Sequence, residues 1–417
     1  MKFWIFNHYA IPPGSSGITR DYDLAKRLVR HGHQVTIFAS SYDHRSRKER
    51  HFKQDEKGFY KIEEYDGIRY VWVRTTPYEG NNINRVLNIL SYTVRGFFAS
   101  RKVTDNPDIV MGTIVHPFAA FLGYAVSKMR KSLFYFEERD LWPETLVHLG
   151  KFKPGSFIVK ILYQLELFLY KKAKRIIVLF DRAHLYVKSR GISTDKVLYV
   201  PNGADLERYD ERIPLTNDIS EALQILKGKF IGVYTGAHGL ANNLDVLLDA
   251  AKLTKEKNKD IHFLFVGAGV EKERLHKRAL DELLTNVTFI DPIPKEMIPS
   301  LLKEADVGLI SMWDADLYKW GMSLNKVYDY MAAELPTIIK CNIPDTIVEK
   351  ANAGYKVLDA VELSEKLLLS FNSRDEIKQK GKNGRKYVEQ YHSWDQLANV
   401  LLQAMNEDVK QYSNERE

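Results

Sequence analysis

The sequence predicts an α/β protein made of two doubly wound halves that face a cleft. Three observations carry this. The chain has 417 residues, too many for one ordinary core, so two domains of similar size are the natural division. Short apolar runs alternate with amphipathic stretches, the pattern of parallel strands joined by crossover helices. The alternation lapses across "ADLERYDERIPLTND" (204–218) and then begins again.

In the first half "FWIFNHY" is a strand, "AIPPGSSGITR" a loop and "DYDLAKRLVRHG" an amphipathic helix stopped by Gly32. "QVTIFAS" is the second strand. A charged excursion over 43–66 precedes the strand "IRYVWVR". A helix over about 83–102, the strand "PDIVMGTIV", the helix "PFAAFLGYAVSKMR" and the strand "SLFYFEERD" follow. A long helix near 156–173 leads to "RIIVLF" and "KVLYVPNG". The second half repeats the order. Strands are "FIGVYTG", "IHFLFVGAG", "VTFID", "DVGLISM" and "PTIIK"; helices are "NLDVLLDAAKL", "EKERLHKRALDEL" and "KEMIPSLLKEA". "YHSWDQLANVLLQAMNEDV" closes the chain as a helix.

Composition narrows the class. Lys and Arg number 61 against 54 Asp and Glu, a mild basic excess that suits an anionic partner, with no basic tail of the kind that binds nucleic acid. The single cysteine, Cys341, excludes an internal disulfide and a Cys-rich metal site and points to a reducing compartment. No apolar run is long enough to span a membrane, and "MKFWIFNHYAIPPG" lacks the form of a signal peptide. The expected location is cytoplasmic.

The stretch "KWGMSLNKVYDYMAAELP" (319–336) follows the strand "DVGLISM", where a doubly wound sheet places ligands. Ser323 is the expected N-cap of a helix starting near Leu324, which would aim free N–H groups of Leu324 and Asn325 at an anion. Lys326 lies in the first turn, and Asp329 sits three residues on, along the same face. A cation followed by a carboxylate fits a diphosphate joined to a ribose diol. A plain surface Lys–Asp pair fits the spacing equally well.

"YDYMAAELP" resembles the second half of the donor-nucleotide motif of family 4 glycosyltransferases, which have the GT-B fold. The form with "S-x-x-K" ahead of the acid resembles the bacterial surface-polysaccharide subgroup that includes fucosamine transferases. The resemblance implies two Rossmann-like domains: 1–205 for the acceptor, with helix 394–417 crossing back onto it, and 206–393 for the nucleotide-sugar. It implies that Asp329 holds the ribose, that Lys326 is a phosphate ligand, and that Gly321 stands where the family has its first acid. "VYTGAHGLANN" matches the phosphate turn, with Gly236, His238 and Gly239 at the phosphates and with Ala237 and Asn242 in place of the usual Arg and Lys. "FVGAGVEKERL" places Gly267 and Gly269 near the base, "FIDPIP" the backbone from Ile290 to Ile293, and "VPNGAD" Asn202.

In the other half, the resemblance puts "PPGSSGITR", with Ser15 and Ser16, at the acceptor, with Gly14 and Gly17 allowing close backbone contact and Arg20 meeting an anion; a flexible surface turn is the alternative. His116, in "GTIVHPF", either contacts the donor sugar or caps the following helix. "FEERDLWPETL" resembles the subgroup's "R-D-L-W-P-E" segment. Asp140 orients or deprotonates the acceptor, Arg139 holds an acceptor phosphate, and Glu144 is either a further acceptor contact or part of a helix start. Glu137 and Glu138 are expected to divide between solvent and core-edge pairs. "WDADLYK" contains an acid pair that is read as a polar loop, so no metal and no cofactor is expected.

The apolar stripe of the 83–102 helix either packs on the sheet or meets a membrane. The function expected is a retaining glycosyltransferase using a nucleoside-diphosphate-sugar. A UDP-sugar is favoured and a GDP-sugar is the other candidate. The acceptor is a glycan, carried on a lipid, with peripheral contact at the inner face of the plasma membrane. A sugar-nucleotide 2-epimerase and a non-catalytic sugar-nucleotide-binding protein are the alternatives.

Overall fold

A computed structural model describes residues 1–14, 19–80, 82–148, 150 and 152–415. The chain forms two compact units, Met1–Pro201 with Leu397–Glu417, and Asn202–Gln396.

The first unit contains one eight-stranded sheet. Its strands are β1 (Lys2–Phe6), β2 (Gln34–Ser40), β3 (Tyr60–Tyr65), β4 (Ile68–Val73), β5 (Ile109–Ile114), β6 (Leu133–Glu138), β7 (Arg175–Val178) and β8 (Val197–Tyr199). Their order is β8-β7-β6-β5-β1-β2-β4-β3, parallel throughout except for the β3–β4 hairpin. Phe3 pairs with Val35 on one side and Ile109 on the other. β5 and β6 are buried along their whole lengths, as expected of strands covered on both faces. β3 lies inside the charged excursion, where its polar alternation conceals it in the sequence.

Four helices pack on this sheet: α1 (Arg20–Arg30), α2 (Ile83–Lys102), α3 (Pro117–Arg130) and α4 (Phe157–Lys172). Right-handed crossovers put α1 on one face of the sheet and α2, α3 and α4 side by side on the other. α3 sits tight on β5, since a Cβ on Gly112 would lie 2.7 Å from the Ala120 carbonyl oxygen. The residues of α2 that face inward are Asn88, Tyr92, Gly96, Ala99 and Ser100. Ile83, Val86, Leu87, Leu90, Val94 and Phe98 of its apolar stripe therefore look outward, which decides against the alternative that packs the stripe on the sheet. Gly96 explains the choice: any side chain there would meet Leu122 of α3 at 2.8 Å. Within this unit the C-terminal helix, Trp394–Asn414, is tied by Asp408. That buried carboxylate accepts from Arg175 Nε and Nη2, each at 2.8 Å, and from the Tyr135 hydroxyl at 2.6 Å.

The second unit has a six-stranded parallel sheet of β9 (Phe230–Thr235), β10 (Ile261–Val266), β11 (Val287–Ile290), β12 (Val307–Ser311), β13 (Thr337–Lys340) and β14 (Gly354–Val357). The order is β11-β10-β9-β12-β13-β14, so direction reverses between β9 and β12. Short helices, Leu206–Asp210 and Asn217–Gln224, occupy the stretch read as aperiodic. Two longer ones, Ala360–Asn372 and Arg374–Tyr391, lie between the last predicted strand and the closing helix, where the sequence reading places no element. Helix α5 (Asn325–Ala332) is anchored at the end of β9, where Thr235 N–H donates to the Tyr330 hydroxyl at 2.8 Å. Gly308 makes room for that tyrosine, whose ring lies 2.3 Å from where a Cβ would be.

Candidate functional site

Strand order reverses between β9 and β12, the position at which a doubly wound sheet places its ligand crevice. The loop after β9 carries Gly236–Asn242, and the chain after β12 leads into α5. Lys326 joins the two. Its ammonium donates to the Tyr234 hydroxyl at 2.9 Å and to Asn242 Oδ1 at 3.3 Å, and lies over the Tyr234 ring. It also comes within 3.3 Å of where a Cβ on Gly236 would stand. Burial pushes the lysine down to about 7. An amine held beside these neutral partners, rather than by a carboxylate, is poised to take an anion.

His238 lies beside it. The residue is fully buried, and both ring nitrogens lack a hydrogen-bond partner among the described residues. Burial, then Lys272, then Lys326 push it down to about 4. Its backbone is pinned, with its N–H donating to Ala268 at 2.9 Å and its carbonyl accepting from Glu271 at 3.0 Å. The two glycines of the next loop permit this. A Cβ on Gly267 would fall 1.9 Å from the Gly236 oxygen, and one on Gly269 would fall 2.2 Å from the His238 oxygen. Ile290, at the end of β11, gives its carbonyl to Gly267 N–H at 3.1 Å. Gly239 faces open space.

Ser323 is not the cap of α5. Leu324 occupies the N-cap without a side-chain bond, and Asn325 is the first helical residue. The Ser323 hydroxyl instead accepts from Asn202 N–H at 2.9 Å, and its carbonyl accepts from Asn202 Nδ2 at 2.8 Å. The serine is spent on tying the 202 segment to the start of α5. Asn202 Oδ1 is left buried without a partner among the described residues. Asp329 accepts from the Tyr209 hydroxyl at 2.7 Å. Sequence reasoning missed both Tyr234 and Tyr209. Tyr234 had a visible signal, an aromatic at a strand end before a glycine turn, and Tyr209 had none.

In the first unit the corresponding reversal lies between β1 and β5. There Ala119 N–H donates to His116 Nδ1 at 3.2 Å, so His116 caps α3. Its Nε2 then carries the proton and donates to His8 Nδ1 at 2.8 Å. Burial holds His116 at about 3 and His8 well below its ordinary value, so both rings are neutral. Sequence reasoning did not single out His8, although "NHY" places it just past the first strand. It lines a cavity of about 260 Å³ together with Tyr9, Tyr42, Trp72, Arg139 and Asp140.

Asp140 lines that cavity, where loss of solvation around its carboxyl raises it and Arg139 opposes the rise. Arg139 donates to Asp21 Oδ2 at 2.9 Å. Arg20, expected to meet an anion, is a structural residue. It is 1% exposed, its Nε donates to Glu137 at 2.9 Å, and its two terminal nitrogens donate to the Val200 and Pro201 carbonyls. A buried guanidinium needs such complete pairing. Glu137 and Glu138 are both fully buried rather than divided with solvent, because each strand-end acid meets inward partners: Arg20 and Thr113 for the first, Tyr170 for the second. Glu144 lies 3.5 Å from His148. Gly14 is left-handed at φ +75° with open space around it, and Ser15, Ser16 and Gly17 lie outside the described residues. Asp314 of the acid pair bonds Lys340 at 2.8 Å, and no metal-binding cluster of acids, histidines or cysteine occurs among the described residues.

Comparison with known proteins matches both units. Residues 21–208 match the model described as Glycosyltransferase Family 4, and residues 229–372 the model described as Glycosyl transferases group 1. The chain is 25% identical over 222 residues to the "Probable glycosyltransferase WbjE" of Pseudomonas aeruginosa, over 53% of this chain and 52% of that protein. It is 24% identical over 272 residues to WcaI of Escherichia coli K12, named for colanic acid biosynthesis, over 60% of this chain and 62% of that protein. The matched segments thus span less than two thirds of either relative. The sucrose-phosphate synthase of Thermosynechococcus elongatus superposes at TM-score 0.72 with 16% identity, covering 97% of this chain and 98% of its own. Anabaena HepE, in complex with UDP and glucose, superposes at 0.67 with 13% identity, covering 98% and 100%. These structures share the GT-B fold, and glycosyltransferase relatives disfavour the epimerase alternative.

Proposed function

We propose, from the glycosyltransferase models that match each of its two units, that the chain is a family 4 glycosyltransferase and moves a sugar from a nucleoside-diphosphate donor to a hydroxyl of a glycan acceptor. The observation that carries this is the corner formed by Lys326, Gly236 and His238, where a poised amine and an unpartnered buried imidazole meet at the crevice of the second sheet. The donor belongs to the Asn202–Gln396 unit and the acceptor to the unit of Met1–Pro201. Asp329, held by Tyr209, takes the ribose hydroxyls, and the backbone at Ile290 lies toward the base. The UDP in the HepE complex favours a UDP-sugar.

In the transfer the bond from the anomeric carbon to the donor phosphate breaks, and a bond from that carbon to the acceptor oxygen forms with retained configuration. The acceptor's proton passes to the departing diphosphate. Lys326 and the first N–H groups of α5 stabilise the charge that develops there. Asp140 orients the acceptor hydroxyl, and the neutral His8–His116 pair shapes the wall behind it. The colanic acid association of WcaI and the subgroup resemblance support a surface-polysaccharide acceptor carried on a lipid.

The test is transfer of label from a panel of UDP- and GDP-sugars to a lipid-linked glycan fraction. Label moving only when donor and acceptor are both present is expected. Label that never leaves the donor, or an epimer forming without acceptor, would contradict the proposal.

A further inference from the structure

Two residues before Asp140, strand β6 ends in a buried acid that no step of the transfer uses. Successive side chains of a strand point to opposite faces. Glu137 reaches Arg20 of α1 on one face of the sheet, and Glu138 reaches Tyr170 of α4 on the other. The Tyr170 hydroxyl donates to Glu138 Oε2. Glu138 Oε1 is buried and has no hydrogen-bond partner among the described residues.

A second buried acid, Glu166, stands one turn before Tyr170 on the same face of α4. It accepts from the Tyr186 hydroxyl at 2.5 Å and from Arg190 Nε at 2.8 Å. Arg190 is the cation that both carboxyls face, and Tyr163 lies against its guanidinium at 4.7 Å. The neighbouring segments add acids: Asp140 toward Glu138 and Glu144 toward Glu166. Two buried carboxylates beside one guanidinium cannot both ionise without leaving net negative charge in a low-dielectric interior. The hydrogen bonds decide which one keeps its proton. Glu166 has the guanidinium and a hydroxyl donor, whereas Glu138 has one hydroxyl donor and one bare oxygen. Burial, and then the charge of Glu166, hold the Glu138 carboxyl well above its ordinary range.

We propose that Glu138 is a positioning residue for Asp140, clamping the end of β6 to α4 through Tyr170. It does so as a neutral acid, and its ionisation would set a second negative charge beside Glu166 and Asp140 and loosen the clamp. The role rests on the transfer reading proposed above, in which Asp140 orients the acceptor hydroxyl.

The test compares the full-length wild type with Glu138→Gln and Glu138→Leu, by transfer kinetics at saturating UDP-sugar across pH and by infrared spectra. Gln keeps the shape and neutrality of the acid, and Leu removes the acceptor for Tyr170. Glu138→Gln is expected to keep the wild-type kcat at neutral pH. Glu138→Leu is expected to lose about 10²-fold in kcat through displacement of Asp140, with an unchanged UDP-sugar thermal shift. On the alkaline side the wild type should lose turnover as Glu138 ionises, and Glu138→Gln should hold it. The wild-type spectrum at neutral pH should show the carbonyl stretch of a protonated carboxyl that Glu138→Gln lacks.

Glu138→Gln as impaired as Glu138→Leu overturns the proposal, since charge rather than shape would then matter. So do an unimpaired Glu138→Leu, an alkaline limb shared by the wild type and Glu138→Gln, and a wild-type spectrum without that carbonyl band. If Glu138→Leu does not fold, the pH profile and spectrum of Glu138→Gln decide. All these outcomes are read against a wild type that transfers sugar. A wild type that transfers none to any acceptor overturns the transfer reading and this role together.

Discussion

The Lys326 ammonium stands 4.1 Å from the centre of the Tyr234 ring and 2.9 Å from its hydroxyl. The tyrosine offers the cation a ring face and a lone pair but no formal charge. A diphosphate can therefore displace or add to these contacts without first breaking an ion pair to Tyr234. Replacing Lys326 with Met should lower turnover by about 10²–10³-fold, the scale of losing one electrostatic contact to a developing anion. Steady-state transfer assays on protein with an unchanged dichroism spectrum check this.

On the proposed donor site, the same lysine should make donor binding depend on pH. Burial lowers its folded-state pKa from 10.5 to about 7. Above that value the free protein holds the amine neutral, and a bound diphosphate draws a proton onto it. UDP-sugar affinity should fall by up to about tenfold per pH unit as pH rises above 7, and Lys326→Met should flatten the slope. Titration calorimetry in buffers of different ionisation heat reads the proton taken up. The stability sign is the reverse of a salt bridge. Between about 7 and 10.5 the unfolded chain binds a proton that the folded chain lacks, so stability rises with pH across that window. Below it the folded protein carries the full cost of the buried charge. Lys326→Met should then stabilise the ligand-free protein at pH 6–7 by about 1–2 kcal/mol, seen as a higher melting temperature.

Asp329 and Tyr209 test the ribose contact. A carboxylate accepting from a ribose diol contributes about 1.5–3 kcal/mol. The wild type should prefer a UDP-sugar over its 2′-deoxy analogue by about tenfold or more, and Asp329→Asn should erase most of that preference. Competition binding with the two nucleotides measures it.

Gly269 has a steric role that its loop position conceals. A methyl group there would sit 2.2 Å from the His238 carbonyl oxygen, which is backbone and cannot swing aside. Gly269→Ala should displace the 236–239 turn, costing about 1–3 kcal/mol of stability and weakening UDP-sugar binding more than it changes melting. Thermal melts with and without nucleotide separate the two effects.

Much of this architecture is legible from the chain because parallel strands are continuous apolar runs and crossover helices are amphipathic. Lys326, Gly236 and Gly267 are legible because each sits at a strand-to-helix junction. What fails to show in sequence depends on distant partners. Ser323 has the composition of an N-cap, yet Asn202 claims its hydroxyl across 121 positions. Arg20 follows a glycine- and serine-rich loop, yet Glu137 and two carbonyls near 200 enclose it. Periodicity tells which residues of α2 share a face but not which way that face points. Gly96 and Ala99 decide it, by allowing the helix to approach α3 and the sheet with its small side.

Arg20 also yields a stability prediction. Removing it leaves Glu137 buried without its cation, a change worth about 3–5 kcal/mol. Arg20→Ala should fail to fold or melt far below wild type, and Arg20→Gln only less severely. Denaturant midpoints of the two variants check this, and an Arg20→Ala protein with wild-type stability would return the residue to the acceptor.

A crystal structure of the protein with a bound UDP-sugar tests the central claim most directly. The expected result is a β-phosphate within hydrogen-bond distance of Lys326 Nζ and the start of α5, the ribose on Asp329 and the base near Ile290. A nucleotide lodged elsewhere, or none at millimolar concentration with that corner open to solvent, would contradict it.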